Sequence, residues 1–416
     1  MLVSSRPRTE ERLPHAFLII GLLGSALGLL FSAVSAYDFV AHLDRQVHGL
    51  HCSFLPGLGT PDVSGTTGCA LTMMSPYSSI FRESIWGGIP IALPAMAVFA
   101  FLLFWGCALW FSGRIYDRRA AGFYVTATMV PLVASLVMGT VAVRELDVFC
   151  KLCVGIYVAS VLCVIGAFVT YRRAEREGDR LEHTPMSWGA LVFLFVLGCL
   201  FVGSTTAAYA LKAPDFTRFV GACGKLDRPA DPQHALLPFG HRSAGTALIE
   251  VLDPLCPACR AFERRFDRLA LAKSSRRDVL LFPLDNSCNW MVDQAVHPGA
   301  CAISEALLCA SDQAEAVLAW AFAEQEQIVA AERAEKGSAA KLVTRQFPVL
   351  AGCVGSSKAR ARLNKALRWA VDNKLPVLTP QLYVEGRRLC DADTDLGLDY
   401  MLTRLAKLGS APTRAR

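Results

Sequence analysis

The 416 residues are 53% hydrophobic and only 19% charged, a balance that sets the chain apart from an ordinary soluble protein and points to a membrane protein. The net charge of +6 calls for no nucleic-acid partner, because much of it falls on basic residues that flank apolar runs.

Five runs of about 20 apolar residues, long enough for a ~30 Å hydrocarbon core, lie at roughly 16–36, 88–111, 121–143, 152–171 and 187–211. The first is too long for a signal peptide and lacks a small-residue cleavage site, so it reads as a retained span. Arg6, Arg8 and Arg12 precede it, Arg114, Arg118 and Arg119 follow the second, and Arg172, Arg173, Arg176 and Arg180 follow the fourth. Basic residues collect on the cytoplasmic side. The 37–87 loop, with only Arg45 and Arg82, the turn at 144–151 and everything after 212 are then expected outside. Of the 15 cysteines, Cys107, Cys163 and Cys199 fall in spans and the other twelve on the outer side, as an oxidising compartment requires.

The 37–87 loop carries Cys52 and Cys69, separated by Gly, Pro, Ser and Thr. Such a stretch reads as mobile, which suits a thiol pair that visits two partners; a plain structural disulfide is the alternative. Further on, "CKLCVGIY" sets Cys150 and Cys153 where an aqueous turn enters the fourth apolar run. A helix N-terminus lowers a thiol pKa, and Lys151 adds positive charge. The pair would also face hydrocarbon, where a lipid-soluble electron acceptor can approach. Packing, or zinc with His51 and the loop cysteines as further ligands, are the other readings.

Residues after 212 hold no apolar run of spanning length and read as one globular domain. In "TALIEVLDPLCPACRAF", Thr246–Leu252 reads as a buried strand and Cys256 as a helix start, so Cys256-Pro-Ala-Cys259 sits at a strand-to-helix turn, a thioredoxin-like signal. Glu250, six residues before Cys256, reads as a buried acid able to move a proton at the second cysteine, or else as a half-exposed strand residue. In "PVLTPQLYVEG", Thr379-Pro380 opens a strand. The segment 286–372 reads as helical. Cys301 and Cys309, eight residues apart on one helix, are about 12 Å apart in rise and cannot bond to each other. The six cysteines Cys223, Cys288, Cys301, Cys309, Cys353 and Cys390 otherwise allow 15 pairings. No P-loop, dinucleotide fingerprint or haem-attachment motif occurs.

Residues 14–171 resemble the four-helix vitamin K epoxide reductase family, on the pieces "GCALTMMSPYSSIF…GGIP" and "CKLCVGIY". The resemblance implies that Cys150 and Cys153 reduce a quinone (ubiquinone or menaquinone), that Cys52 and Cys69 shuttle electrons to them, and that Ser75 and Tyr157 stand at the quinone site. It departs from the family in the wide spacing of Cys52 and Cys69 and in having no asparagine before Asn286. The second departure bears against epoxide reduction and leaves quinone reduction untouched. The outer domain resembles the DsbA-like branch of thioredoxin proteins, a thioredoxin fold with a helical insertion, in which Pro380 is the cis-proline that faces the thiols.

The expected architecture is therefore an α-helical membrane domain (1–175), a cytoplasmic loop and fifth span (176–215), and a periplasmic α/β thioredoxin-like domain (216–416). The expected activity is thiol oxidation: substrate protein thiols attack Cys256, and electrons pass through Cys52–Cys69 to Cys150–Cys153 and a quinone in the lipid. The rivals are electron flow in the reverse direction, as a reductase or isomerase, and a metal-handling factor relaying a soft cation between its two Cys-x-x-Cys sites.

Overall fold

The structure is a computed structural model that describes residues 13–46, 48–53, 67–146, 148–177, 184–239 and 245–410. Arg6, Arg8, Arg12 and Arg180, and the stretch 54–66 read above as a mobile loop, lie outside the described residues. The chain divides into two compact units, Met1–Pro214 and Asp215–Arg416.

Among its described residues the first unit contains five helices long and apolar enough to cross a membrane: α1 (Leu13–Ala41), then, after the short α2 (Gly68–Met74) and a hairpin of β1 (Ser79–Ile80) with β2 (Ile89–Pro90), α3 (Ala92–Phe111), α4 (Arg118–Val141), α5 (Lys151–Glu177) and α6 (Trp188–Lys212). The expectation of a loop from residue 37 is corrected. Helix α1 continues to Ala41 because the one acidic side chain in its last turns, Asp38, is buried and bonded rather than sent to water. The loop is also shortened by α2 and the hairpin.

Helices α1, α3, α4 and α5 close around Leu18, Phe99, Leu102, Trp105, Tyr124 and Cys163. With lipid outside, apolar side chains alone cannot drive helices together, and close backbone approach takes over. Glycine supplies it here. A Cβ on Gly166 of α5 would strike the backbone of Gly21 on α1, and one on Gly24 would lie 2.8 Å from the Cys163 nitrogen. Asp117 caps α4 by accepting from the Arg119 and Ala120 amides, and its other oxygen accepts from Met186 at 2.6 Å, which ties the start of α6 to the start of α4.

The second unit is built on a five-stranded sheet. Its strands are β3 (Leu237–Phe239), β4 (Ala247–Leu252), β5 (Arg276–Leu281), β6 (Gln381–Val384) and β7 (Arg387–Arg388), in the order β3-β5-β4-β6-β7. Only β4 and β5 are parallel; the other neighbours are antiparallel. The order, with α7 (Pro257–Phe266) following the central β4 and α8 (Ala270–Ser274) leading into β5, is that of a thioredoxin-like fold. Five helices separate β5 from β6: α9 (Ala300–Cys309), α10 (Ala314–Ala323), α11 (Gln325–Ala334), α12 (Ser338–Gln346) and α13 (Ser357–Asp372); α14 (Leu398–Ser410) ends the described chain.

The insertion is helical only from Ala300, not from 286. Residues 286–299 form an irregular loop because Asp285 draws the amides of Ser287 and Gly299 to its carboxylate, Asn289 bonds back to the Pro283 carbonyl, and Cys288 is cross-linked to Cys301. Cys309 bonds to Cys353 and Cys223 to Cys390, so Cys301 and Cys309, both on α9, take separate partners.

Gly166→Leu should break the α1–α5 seam. Backbone cannot retreat as a flexible side chain can, so the cost should exceed the ~1–3 kcal/mol typical of an overpacked core. Thermal unfolding in detergent, followed by size-exclusion recovery, would register a lowered midpoint; an unchanged midpoint would mean the helices tolerate separation.

Candidate functional site: two disulfides on a membrane cavity and a dithiol at a helix start

Helix α2 begins where Thr67 accepts a hydrogen bond from the Ala70 amide at 3.4 Å. This start carries Gly68 and Cys69 against the chain entering α5. A Cβ on Gly68 would fall on the Phe149 carbonyl, so only glycine allows this backbone approach. Cys69 and Cys150, the residues that follow each of these two, then share one buried cluster with Phe31 and Leu152, and Cys52 and Cys153 pack against it. Both pairs are oxidised: Cys52–Cys69 with Cα atoms 5.8 Å apart, and Cys150–Cys153 at 5.3 Å. Cys150 precedes the first residue of α5, and its sulfur accepts from the Cys153 amide at 3.3 Å.

A cavity of about 490 Å³ opens beside these disulfides, within the usual range for a small-molecule site. Cys69, Cys150, Cys153, Ser75 and Tyr157 all line it. Its walls are otherwise mostly apolar, with Val98, Phe99, Pro131, Met138 and Ile156 among them. The Ser75 hydroxyl donates to the Thr72 carbonyl at 2.7 Å, finishing α2, while Arg82 holds the Ser75 carbonyl at 2.6 Å. A second hollow of about 440 Å³ between α4 and α5 shares Ser135 and Tyr157 with the first. Leu136 and Val143 on its rim are exposed, as lipid-facing residues would be.

Sequence reading passed over one residue here and met its partner, His51, only as a possible zinc ligand. Asp38, nearly fully buried, lines the cavity. It accepts from the His51 ring at 2.7 Å and the His51 amide at 2.9 Å. The available signal was an ionisable residue at the end of an apolar run, which marks function by default.

In the second unit, Cys256 caps α7 and Pro257 opens it. Cys256 and Cys259 are unbonded thiols, and both are buried. The Cys259 thiol donates to Cys256 and, against the cost of burial, brings Cys256 down to about 6; burial first, then the Cys256 sulfur, pushes Cys259 up. The pair therefore consists of one attacking thiolate and one thiol that keeps its proton. The Thr379–Pro380 peptide is cis, and the Thr379 carbonyl lies 3.7 Å from the Cys256 sulfur.

Glu250 is wholly buried on β4, so the half-exposed alternative does not hold. Burial raises it to about 8 against the pull of Arg277. Arg277, which the sequence did not single out, reaches Glu250, Glu263 on α7, and Asp267. Asp253, also buried, accepts from the Leu255 and Leu284 amides and from His297 at 2.8 Å. Burial opposes the charge on His297, but that bond and the Asp253 carboxylate outweigh it and hold the imidazole above its ordinary range.

A family model described as the Vitamin K epoxide reductase family matches residues 19–168, all of them within the first unit. No curated protein matches the chain. Among solved structures, ScsC of Proteus mirabilis in a transitional conformation is similar at 15% identity, covering 52% of this chain and 96% of that one, with a TM-score of 0.30. The oxidoreductase DsbA from Xylella fastidiosa is similar at 20% identity over 40% and 89%, with a TM-score of 0.28. Similarities of this size carry no functional argument by themselves. The family domain, the five apolar helices and the cysteine pairs make the protein a multi-pass membrane protein with a thiol–disulfide redox function.

Alkylation of reduced Cys256 should rise with pH to a half-maximum near 6 and level off above neutrality, since only the thiolate reacts. Cys259→Ala removes the hydrogen-bond donor and should move the half-maximum upward. Mass spectrometry of iodoacetamide-treated protein reads both; a midpoint near the ordinary thiol value in the unaltered protein would contradict the arrangement.

Proposed function

We propose that the protein is a quinone-dependent thiol oxidase that forms disulfide bonds in secreted or periplasmic proteins. The observation that carries this reading is the burial of Cys69 and Cys150 in one cluster on the wall of an apolar cavity. Thiol–disulfide exchange needs a thiolate beside a disulfide sulfur, and a Cys52–Cys69 pair in that cluster is positioned to exchange with Cys150–Cys153.

The cavity fits a flat, neutral, lipid-borne ring. Its walls are apolar, Ser75, Ser135 and Tyr157 offer polar points, and the hollow between α4 and α5 leaves room on the lipid side. A quinone bound there would supply a two-electron, two-proton acceptor. A reduced Cys69 thiolate attacks Cys150 and expels Cys153, Cys52 resolves the mixed disulfide to leave Cys150 and Cys153 reduced, and Cys153, inside α5, is the thiol that gives up the electron pair to the acceptor.

The thioredoxin-like domain is the entry point. Oxidised Cys256–Cys259 is attacked at Cys256 by a substrate thiolate, which expels Cys259 to take up a proton; the low pKa of Cys256 then favours its departure when a second substrate thiolate resolves the mixed disulfide. Glu250 moves a proton at Cys259 when the pair is reoxidised, and Pro380 flanks the site. Tethering both units in one chain raises their mutual concentration to roughly millimolar. The outer side of the inner membrane, where exposed disulfides persist, is the compartment proposed for the loop cysteines and the thioredoxin-like domain.

Purified full-length protein should oxidise a reduced peptide only when a quinone is present; quinone-independent oxidation, or none, sinks the reading. Cys153→Ala should trap Cys150 against the loop, with Cys69 the first expected partner in non-reducing mass spectrometry. Trapping of Cys153 in Cys150→Ala instead would exchange the two roles. Gly68→Val, which forces the two pairs apart, should slow transfer from the shuttle to the membrane pair by roughly 10²-fold while leaving Cys256 alkylation unchanged. Stopped-flow reduction of the quinone would follow it.

A further inference from the structure

Oxidation of the Cys150/Cys153 dithiol breaks two S–H bonds, forms one S–S bond and yields two electrons and two protons. Under the reading above, on which this inference rests, a quinone accepts both electrons and both protons. The electrons have a path through sulfur. Protons need one too, because the cavity walls are apolar and a thiol must lose its proton before it can attack.

Among the described residues that line the cavity, Asp38 is the one carboxylate, and no histidine, lysine or arginine joins it. Its side chain is only 4% accessible, yet the His51 side chain that it holds is 36% accessible. Both Asp38 oxygens are engaged by His51, one by the ring and one by the amide. The backbone is fixed on the other side as well: the His42 ring bonds to the Asp38 carbonyl at 2.7 Å and, through its second nitrogen, to the His48 carbonyl at 3.0 Å. His51 immediately precedes Cys52. A carboxylate facing the cavity is thus coupled through one hydrogen bond to an imidazole that reaches water, beside one disulfide and on the same wall as the other.

A purely structural clamp would need a hydrogen-bond acceptor at position 38 but no charge. Placing a carboxylate at the end of an apolar span is costly, and its one side-chain partner, His51, is itself a group that exchanges protons near neutral pH. We propose that Asp38 and His51 form the proton port of the cavity. Asp38 accepts the proton that a cavity thiol sheds, His51 exchanges it with water, and the same couple returns protons when the acceptor requires them.

The test uses full-length protein in quinone-free lipid nanodiscs, reduced with dithiothreitol and then freed of it. Alkylation of Cys150 by N-ethylmaleimide is followed by quenched-flow mass spectrometry. Asp38→Asn and His51→Ala should each slow alkylation about tenfold at neutral pH. Asp38→Glu should recover much of the rate, and added imidazole should restore His51→Ala in a concentration-dependent manner. A clamp would not respond to imidazole. Wild-type rates in both variants, or a slow His51→Ala that imidazole leaves unchanged, would overturn the proposal, and the size-exclusion profile of each variant confirms that it is folded. A second arm adds quinone: the unaltered protein should reduce it, and Asp38→Asn should do so about tenfold more slowly. Failure of the unaltered protein to reduce quinone would sink the oxidase reading, while the quinone-free arm would still decide the port.

Discussion

The membrane unit depends on one backbone approach, that of Gly68 to Phe149. Two short segments distant in sequence meet there with no room for a Cβ. Each is followed at once by a cysteine, so the contact sets Cys69 and Cys150 in the same buried cluster. Exchange between disulfides is governed by reach and alignment more than by affinity. A glycine thus does here what no hydrogen bond between the two segments would do as rigidly.

The same unit shows how a site that handles charge can live in hydrocarbon. Apolar walls make the cavity suitable for a neutral ring, but they also remove the solvent that would otherwise carry protons. Among the described lining residues there is a single carboxylate, Asp38, buried and satisfied by a histidine that reaches water. Two serine hydroxyls elsewhere on the wall also have protein partners: Ser75 donates to the Thr72 carbonyl and closes α2, and Ser135 and Ser160 bond to each other at 3.0 Å.

In the thioredoxin-like unit the organising element is ionic. Arg277 on β5 gathers Glu250 from β4, Glu263 from α7 and Asp267 just beyond it. Burying such a cluster costs desolvation, so it is a weak source of net stability. It does hold the helix that starts at Cys256 against the central strands. Glu250 is the most buried of the three carboxylates, and that burial pushes its carboxyl up to about 8 against the pull of Arg277.

What the sequence determined by itself was whatever is local. Five apolar runs defined five helices, because a helix is the only way for a single segment to satisfy its backbone in lipid. The strand before Cys256 and the helix after it were legible because a short apolar run and the Cys-x-x-Cys that follows it are short-range signals. The motif cysteines could be singled out for the same reason. The irregular loop at 286–299 was misread because helix-favouring composition is only a weak prior, and its geometry is decided by Asp285, Asn289 and the Cys288–Cys301 bond. Tertiary structure alone decided three of the disulfide pairings, the joining of Cys69 to Cys150, and the partners of Glu250 and Asp38. Each depends on groups from 13 to 167 residues apart being brought within a few ångströms, and nothing in the local pattern of a chain records which of its separated segments will meet.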